Sequence, residues 1–420
     1  MKRTDRDILA IDLKSFYASV ECIKRNLDPF KVPLVVADES RGDGTIVLAA
    51  SPFIKEKYGV KSRCRLFEVD KNIPGLVIAC PHMKDYLQAQ ADVIGVYLDY
   101  VSKEDLYVYS VDECFLDVTN YLKRGNDTSY SYAEKIVDDV KRRTGLTVTA
   151  GIGKNLFMAK ACMDIEAKKS PSFIAKWDYE DIPYSLWPVA PLHKMWGIGS
   201  RMERKLNAMG FYSVGDIACS SPTFLKKEIG VIGEEIYYHS LGYDDALLQE
   251  RYEPRNKSFS VGEVLLRDYK YEEVFSIIGD LSHELCERLK KSRKVSYTFS
   301  CTVVTADDSE SYHFRAVFES PTSSAFRLTR QLKQTFGRLP ADRSTNYRRV
   351  LLCADSITEE DSFQTSLFDN VEENGRTDAA EEVMIRVRDA FGTEKAMPAF
   401  AATKESTYRQ RSHQIGGHLA

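Results

Sequence analysis

Three acidic side chains stand where apolar segments end or are interrupted. Asp12 follows the apolar run 8–11, and Asp112 and Glu113 lie side by side within the strand-like segment 106–119. Successive side chains of a regular strand point to opposite faces, so Asp112 and Glu113 could share a ligand only if the chain reverses sharply there. Asp12, at the end of a neighbouring strand, would then complete a cluster of three carboxylates. Such a cluster repels itself unless a cation neutralises it, and carboxylate oxygens suit Mg²⁺ or Mn²⁺.

A carboxylate cluster of this kind predicts two-metal phosphoryl chemistry, in which one ion activates the attacking oxygen and the other holds the leaving phosphates. The simpler alternative is that Asp12 caps a helix and that Asp112 and Glu113 belong to a solvated turn. Two aromatic residues, Phe16 and Tyr17, follow Asp12 at about one helical turn. Core packing is the ordinary explanation of such a pair. The residues alone leave these alternatives open.

The elements that must position these side chains alternate between strand and helix patterns. Ser51 and Pro52 open one of the helices in the way that caps and first turns favour. The segment 146–155 is predicted to be a strand that runs into a glycine turn before the next helix. Strands are predicted over 7–13, 33–38, 45–50, 106–119 and 146–155, and helices over 15–27, 51–60 and 155–168. This half of the chain is therefore predicted to be mixed α/β, with helices packed against one sheet.

The character of the sequence changes around Trp177. The segment 191–218 predicts two short helices with glycine turns, and the irregular, polar stretch 242–257 is typical of a linker. Strands are then predicted over 257–266, 295–306 and 347–357, with helices over 271–293 and 323–339. This pattern predicts a second, smaller α/β domain.

Charge is distributed unevenly along the 420 residues, although the formal net charge is only −4. Residues 355–420 hold 13 acids and 7 Lys or Arg, whereas residues 1–354 hold 49 acids and 51 Lys or Arg. Within the acidic stretch 359–382 only Arg376 opposes the carboxylates, a pattern that predicts a solvated, flexible tail. One amphipathic helix is predicted near its end, over 379–392.

The cysteines and the hydropathy of the sequence indicate the cellular compartment. The nine cysteines are scattered, odd in number and never spaced as C-x-x-C, which favours reduced thiols and argues against a structural zinc site. No apolar run approaches the roughly 18 residues that cross a membrane, and no signal peptide is evident. We expect a cytoplasmic protein without a membrane partner.

Three blocks resemble the catalytic motifs of the Y-family translesion DNA polymerases, most closely the UmuC-like bacterial branch. They are DLKSFYASVE, YSVDECFLDVT and GIGKNLFMAKACMDIEAKK. The resemblance extends over roughly residues 6–355 and implies a multidomain α/β right-hand polymerase. Its parts would be a palm (1–15 and 82–175), fingers (16–81), a helical thumb (176–242), a linker (243–254), a little finger (255–355) and an acidic flexible tail (356–420).

The resemblance also implies roles for individual residues. Asp12, Asp112 and Glu113 would hold two Mg²⁺ ions, for which Mn²⁺ can substitute, and the backbone carbonyl of Leu13 would be a further ligand. Tyr17 would lie against the deoxyribose and leave no room for a 2′-hydroxyl group, and Phe16 would pack beside the nucleotide.

The triphosphate contacts depart from the family pattern. Lys168 falls where the family has a phosphate-binding lysine. Phe53 and Glu56, however, occupy the places where the family usually has a nucleotide-contacting tyrosine and an arginine. Phe53 is still expected to contact the nucleotide. Lys55, Lys57 or Arg63 are candidates to compensate for the missing arginine.

Two further motifs indicate contacts beyond the nucleotide. Gly197 and Gly199 lie in a segment that resembles a helix-hairpin-helix, whose backbone N–H groups approach a DNA phosphate; the alternative is a plain helical turn. In the tail, Gln364, Leu367 and Phe368 match the Q-x-x-L-F type of peptide with which bacterial polymerases bind the sliding clamp. The alternative there is a transient hydrophobic spot in a linker.

The function that the resemblance implies is template-directed addition of deoxynucleotides to a primer 3′ end opposite damaged template bases, with low fidelity. Its partners would be primed DNA, deoxynucleoside triphosphates and the sliding clamp, and a monomer is expected. Two alternatives remain: a non-catalytic, clamp-tethered DNA-binding relative, and another palm-type nucleotidyl transferase such as a cyclase.

Overall fold

The computed structural model describes residues 3–250, 257–360, 371–393 and 395–419. The chain divides into two compact units, Met1–Tyr252 and Glu253–Ala420. The residues predicted as little finger and tail therefore belong to one unit. Within the described ranges, no helix is both long and apolar enough to cross a membrane.

The first unit contains the predicted palm, fingers and thumb. Its strands are β1 Ile8–Leu13, β2 Leu34–Val36, β3 Ala49–Ala50, β4 Val77–Ala79, β5 Leu106–Val108, β6 Glu113–Asp117, β7 Val148–Gly153 and β8 Ile174–Lys176. Its helices are α1 Phe16–Lys24, α2 Pro52–Tyr58, α3 Met83–Leu98, α4 Thr119–Leu122, α5 Ser129–Thr144, α6 Leu156–Ile165, α7 Ile182–Ser185, α8 Ser200–Ala208, α9 Val214–Ala218, α10 Pro222–Ile229 and α11 Val231–Ser240.

The central sheet has the strand order β5-β6-β1-β7-β8, and β1 is antiparallel to both of its neighbours. Leu9 and Ile11 of β1 face the core beneath α3 and α5, whereas Ile8 and Ala10 face α6. A strand that is buried on both faces needs an unbroken apolar run, which is what precedes Asp12. Because side chains alternate along a strand, Asp12 lies on the same face as Ile8 and Ala10, toward α6.

Gly151 and Gly153 lie within β7 and not in a turn, which corrects the prediction for this segment. A β-carbon at Gly151 would come within 2.3 Å of the Ala159 carbonyl oxygen and the Met163 nitrogen, and one at Gly153 within 2.4 Å of the Ala159 nitrogen. Strand glycines of this kind mark a close approach by another backbone. The two glycines therefore let α6 pack directly onto the sheet.

The smaller parts of the first unit agree with the predicted pattern. A small sheet, β3-β2-β4, packs with α2 around its own apolar core. Ser51 accepts a hydrogen bond from the Ile54 nitrogen, and Pro52 is the first residue of α2. In the thumb segment, four apolar residues at helical spacing around the glycine turn are buried: Ile198, Leu206, Val214 and Ile217.

The second unit is a sheet with two helices packed on one face. Its strands are β9 Phe259–Tyr269, β10 Lys294–Thr305, β11 Ser311–Thr322, β12 Tyr347–Asp355, β13 Thr358–Glu359, β14 Gln414–Ile415 and β15 His418–Leu419, and its helices are α12 Tyr271–Lys291, α13 Ala325–Gly337, α14 Val371–Phe391 and α15 Tyr408–Arg411. The main strand order is β11-β10-β12-β9. Strand β11 was not predicted, although apolar Tyr312, Phe314 and Ala316 alternate with polar residues along it.

The described part of the predicted flexible tail is folded, which corrects that prediction for 371–393 and 395–419. A helix is confirmed within 379–392, as the last part of α14, which ends at Phe391; the apolar residues Val383 and Phe391 are exposed. Glu381 is buried and accepts hydrogen bonds from the backbone nitrogens of Ala325 and Phe326, at the start of α13. Arg388 is buried between Glu287 and the hydroxyl group of Tyr408. Charges that looked solvated in sequence are thus paired with the little-finger helices.

Candidate active site

A tight hairpin turn presents Asp112 and Glu113. The chain reverses between β5 and β6, and the backbone nitrogens of Tyr109 and Ser110 both donate to the Glu113 carbonyl, at 3.0 and 3.1 Å. The sharp reversal predicted from the adjacent acids is therefore confirmed. The carbonyl of Asp112 accepts a hydrogen bond from the Leu13 nitrogen at 2.9 Å, which ties this turn to the end of β1.

Asp12 and Glu113 are directly opposite each other in the antiparallel pair of β1 and β6. Side chains at opposed positions project from the same face of a sheet. On that face a third carboxylate, Asp164 of α6, joins them, and one oxygen of each lies within 4.8 Å of the others. Among the described residues Asp112 is not part of this close group, although the sequence analysis had placed it there in place of Asp164.

Two lysines balance these acids. Lys160 is buried, and its Nζ donates to Glu113 Oε1 at 2.7 Å and lies 3.1 Å from an Asp164 oxygen. Lys168, in the short turn Ala167–Lys169 after α6, lies 2.6 Å from Asp12 and donates to Asp164 at 2.8 Å. Asp164 therefore contacts both lysines and holds their ammonium groups against the sheet.

Asp112 has different surroundings from those of Asp164. The Ser110 hydroxyl group donates to its carboxylate at 2.7 Å, and the side chain lines a cavity of the first unit. The Asp112 charge also acts on Tyr17, because burial and this charge both raise the pKa of Tyr17. Asp112 thus lies on the wall of the cavity, and no described lysine forms an ion pair with it.

The electrostatics of Asp12 show that the site can accept a cation. The pKa of Asp12 is raised to about 6, mainly by burial; the charges of Glu113 and Asp112 add to this rise, and Lys168 beside it opposes it. Like charges crowded in this way are relieved by a positive ion. The available donors are carboxylate oxygens and backbone carbonyls, which are the ligands that Mg²⁺ and Mn²⁺ prefer. The residues present therefore fit a divalent metal.

The cavity beside these acids has a volume of about 610 Å³, which suits a small-molecule ligand. Phe16 and Tyr17 both line it, and Phe16 is otherwise buried in the core. The Tyr17 ring stacks on Tyr86, with centroids 4.4 Å apart and planes inclined by 17°. The Tyr86 hydroxyl group in turn donates to the buried Glu21 at 2.7 Å. Tyr17 therefore presents a supported aromatic face to the cavity.

Opposite the acids, α2 contributes Pro52, Lys55 and Glu56 to the cavity wall. Phe53 is not among the described residues that line the cavity. Its ring instead packs edge-on against Tyr58, with Lys57 about 5.2 Å from its centre. The Phe53 ring thus packs against Tyr58 of its own helix.

The glycines of the thumb segment lie in an open turn before α8. Gly197 has a φ of 91°, in the left-handed region that favours glycine, and Gly199 is the residue that precedes the first turn of α8. A β-carbon at either position would meet no other described atom within 4 Å. The backbone is therefore accessible there. Gln364, Leu367 and Phe368 lie outside the described residues.

Asp164 and Tyr86 were not predicted as site residues. Asp164 had a usable signal, since it lies four residues after Lys160 and four before Lys168, and positions four apart share a helix face. Tyr86 had none, because it comes from a helix far along the chain and meets Tyr17 only through the tertiary fold.

Comparison with known proteins agrees with this architecture. A Y-family DNA polymerase chimera of known structure matches 84% of this chain and 99% of its own, with a TM-score of 0.67 and 19% sequence identity. The fold is therefore that of a right-hand DNA polymerase.

Sequence comparison defines the family more closely. Residues 11–164 match the impB/mucB/samB family, and residues 256–367 match the impB/mucB/samB family C-terminal domain. UvrX of Bacillus subtilis (strain 168), which is named for UV-damage repair, is 33% identical over 98% of this chain and 97% of its own. DNA polymerase IV 2 of the same strain is 28% identical over 99% of both chains. The chain belongs to the impB/mucB/samB family and is a Y-family DNA-directed DNA polymerase.

Proposed function

We propose that the chain carries out translesion synthesis: it adds deoxynucleotides to a primer 3′ end opposite damaged template bases, with low fidelity and two-metal-ion catalysis. The observation that carries the proposal is the hairpin and strand end that put Asp12, Asp112 and Glu113 beside a cavity of nucleotide size. The names of the relatives, UV-damage repair and DNA polymerase IV, support the class of substrate.

Asp12, Asp112, Glu113 and the Leu13 carbonyl would hold two Mg²⁺ ions, with Mn²⁺ as a substitute. When bound, such ions activate the attacking hydroxyl group and neutralise phosphate charge. The protein's own contribution is to position the reactants. Lys168, held by Asp164 beside Asp12, offers a cation for phosphate oxygens, and the metal ligands are fixed by the β1–β6 pairing.

Tyr17 is proposed to exclude ribonucleotides by occupying the space of a 2′-hydroxyl group, with Phe16 packed beside the nucleotide. The stacking on Tyr86 supports this proposal, because a ring braced on its far side cannot move away from the sugar. A rigid ring clashes with the 2′-hydroxyl group, so a ribonucleotide binds with a less favourable free energy than a deoxynucleotide.

Primer extension on undamaged and abasic templates tests the proposal. Wild-type protein should extend with deoxynucleotides, and Tyr17→Ala should raise the kcat/KM for ribonucleotides relative to deoxynucleotides by about 100-fold, since such a contact discriminates by about 10–200-fold. Tyr184→Ala, at an exposed tyrosine in α7, is the control and should leave the ratio unchanged. A wild-type protein that binds primed DNA without extending it would favour the non-catalytic alternative.

Gly197 and Gly199 are proposed to let backbone N–H groups contact a DNA phosphate without reading sequence. The left-handed φ of Gly197 and the open space around both glycines support this role. No side chain blocks the approach of the backbone among the described residues.

Docking on the sliding clamp is proposed for Gln364, Leu367 and Phe368, with sequence as its support. Leu and Phe side chains of such a peptide fill an apolar pocket, and the tether raises the local concentration of the primer end. Addition of a bacterial sliding clamp should lengthen the products of the wild-type protein but not those of Phe368→Ala. Phe363→Ala, next to the motif, should behave like wild type; equal stimulation of all three proteins would refute the docking.

A further inference from the structure

A lysine of the fingers helix lines the cavity and forms no ion pair with any described carboxylate. Lys55 lines the cavity wall, and its Nζ donates to the Ser15 hydroxyl group at 2.8 Å. Among the described residues no carboxylate oxygen lies within 4 Å of that ammonium group, whereas Lys160 and Lys168 each contact two acids. Lys55 therefore brings a positive charge into the cavity that no described carboxylate pairs.

Ser15 fixes where this charge lies. It stands between the end of β1 and the start of α1, with a left-handed backbone at φ 51°, and it lines the same cavity. Its hydroxyl group draws the Lys55 side chain across from the fingers to the edge of the acidic site. Burial lowers the pKa of Lys55, the Asp12 charge opposes that effect, and the charges of Lys14 and Lys168 add to it. Lys55 is thus near enough to sense both Asp12 and Lys168.

Of the other charged residues of the fingers, Arg63 also lines the cavity but is exposed, whereas Lys57 and Glu56 do not supply a cation there. Lys57 lies about 5.2 and 5.5 Å from the ring centres of Phe53 and Tyr58, and it is not among the described residues of the cavity wall. Glu56 does line the cavity, and its charge raises the pKa of Lys14, where burial is the larger and opposite effect. Glu56 is itself an acid that acts on Lys14, and the Lys14 ammonium group lies 4.0 Å from the ring centre of Phe173.

We infer that Lys55 is a triphosphate-binding residue, which contacts the phosphates of the incoming nucleotide from the fingers side while Lys168 contacts them from the palm side. The inference rests on the proposed function, because it takes a nucleoside triphosphate as the ligand of this cavity. A polyphosphate chain needs cations along its length, and hydrogen bonds from an ammonium group to phosphate oxygens are among the strong ones. Binding would replace the neutral Ser15 hydroxyl group by a charged acceptor.

Two matched variants on α2 test the inference, Lys55→Met and Lys57→Met, both of which keep an unbranched apolar stem. The KM for a deoxynucleoside triphosphate, at saturating primed DNA, should rise about 10-fold or more for Lys55→Met and stay unchanged for Lys57→Met. Inorganic tripolyphosphate, used as a competitive inhibitor, should lose affinity by a similar factor in Lys55→Met alone. Lys55→Arg, which keeps the charge, should restore most of both affinities.

The outcomes separate this inference from the proposed function. If the wild-type protein fails to extend primers, the proposed function is refuted first. If it extends them but Lys55→Met and Lys57→Met have the same KM, the assignment of Lys55 is wrong. A raised KM with unchanged tripolyphosphate inhibition would also overturn it, because Lys55 would then act on the cavity wall through Ser15. Melting temperatures of the three variants show whether any loss comes from unfolding.

Discussion

Asp112→Asn should lower the rate of primer extension about a thousandfold or more, whereas Asp164→Asn should lower it only about 10-fold. A bound metal supplies several kcal/mol of transition-state stabilisation, and each 1.36 kcal/mol is a factor of ten. Substitution of a residue that supports the metal ligands from outside the metal shell usually lowers metal affinity or activity 10–100-fold. The pair of variants therefore distinguishes a metal ligand from a residue that positions lysines.

The structure explains why the two acids should differ, although Asp164 and not Asp112 lies in the close carboxylate group. Asp164 contacts Lys160 at 3.1 Å and Lys168 at 2.8 Å, so its charge is already used. The Asp112 carboxylate accepts a hydrogen bond from the Ser110 hydroxyl group and lines the cavity. Asp164 contacts both lysines and is not among the described residues of the cavity wall, whereas Asp12 and Glu113 contact one lysine each. Asp112 adds a carboxylate on the cavity wall that no described lysine pairs.

Single-turnover extension and the binding of Mn²⁺ measured by electron paramagnetic resonance check this prediction together. Mn²⁺ affinity should fall in Asp112→Asn and change little in Asp164→Asn. Asp92→Asn, at a surface carboxylate that accepts from Gln88, serves as the control. If Asp164→Asn is the variant that loses both metal and activity, Asp164 replaces Asp112 as a ligand.

The sequence was sufficient for the parts of the site that depend on one segment at a time. The apolar run before Asp12 predicted a buried strand, and the adjacent acids at 112 and 113 required a reversal, because side chains alternate along a strand. Both features are present in β1 and in the turn between β5 and β6. Local periodicity was enough in each case.

What depends on packing between distant segments was not predictable. Tyr86 meets Tyr17 across separate helices, and Glu381 meets the start of α13 from a stretch whose composition predicts a solvated chain. Lys55 and Lys57 are both lysines and lie two positions apart. Only the orientation of α2 in the fold shows that Lys55 faces the cavity. Sequence fixes neither the pairing of charges nor the face of a short helix.

Gly151→Ala should destabilise the first unit by about 3 kcal/mol, the upper end of what overpacking usually costs. The new methyl group would lie 2.3 Å from the Ala159 carbonyl oxygen and the Met163 nitrogen, and both are backbone atoms that cannot turn aside. Helix α6 would have to move off the sheet. Because α6 carries Lys160 and Asp164, the charge balance of the acidic site should be lost together with the packing.

Tryptophan fluorescence measures this effect in the right part of the molecule, because all three tryptophans, Trp177, Trp187 and Trp196, lie in the first unit. The midpoint of thermal unfolding should fall by about 6–12 °C, at about 2–4 °C per kcal/mol for a unit of this size. Gly95→Ala is the matched control, since Gly95 lies within α3 with no other described atom within 4 Å of its added β-carbon. Its midpoint should stay level or rise, because alanine favours a helix over glycine by about 1 kcal/mol. Equal midpoints for Gly151→Ala and the wild type would show that α6 does not approach β7 as closely as the glycines permit.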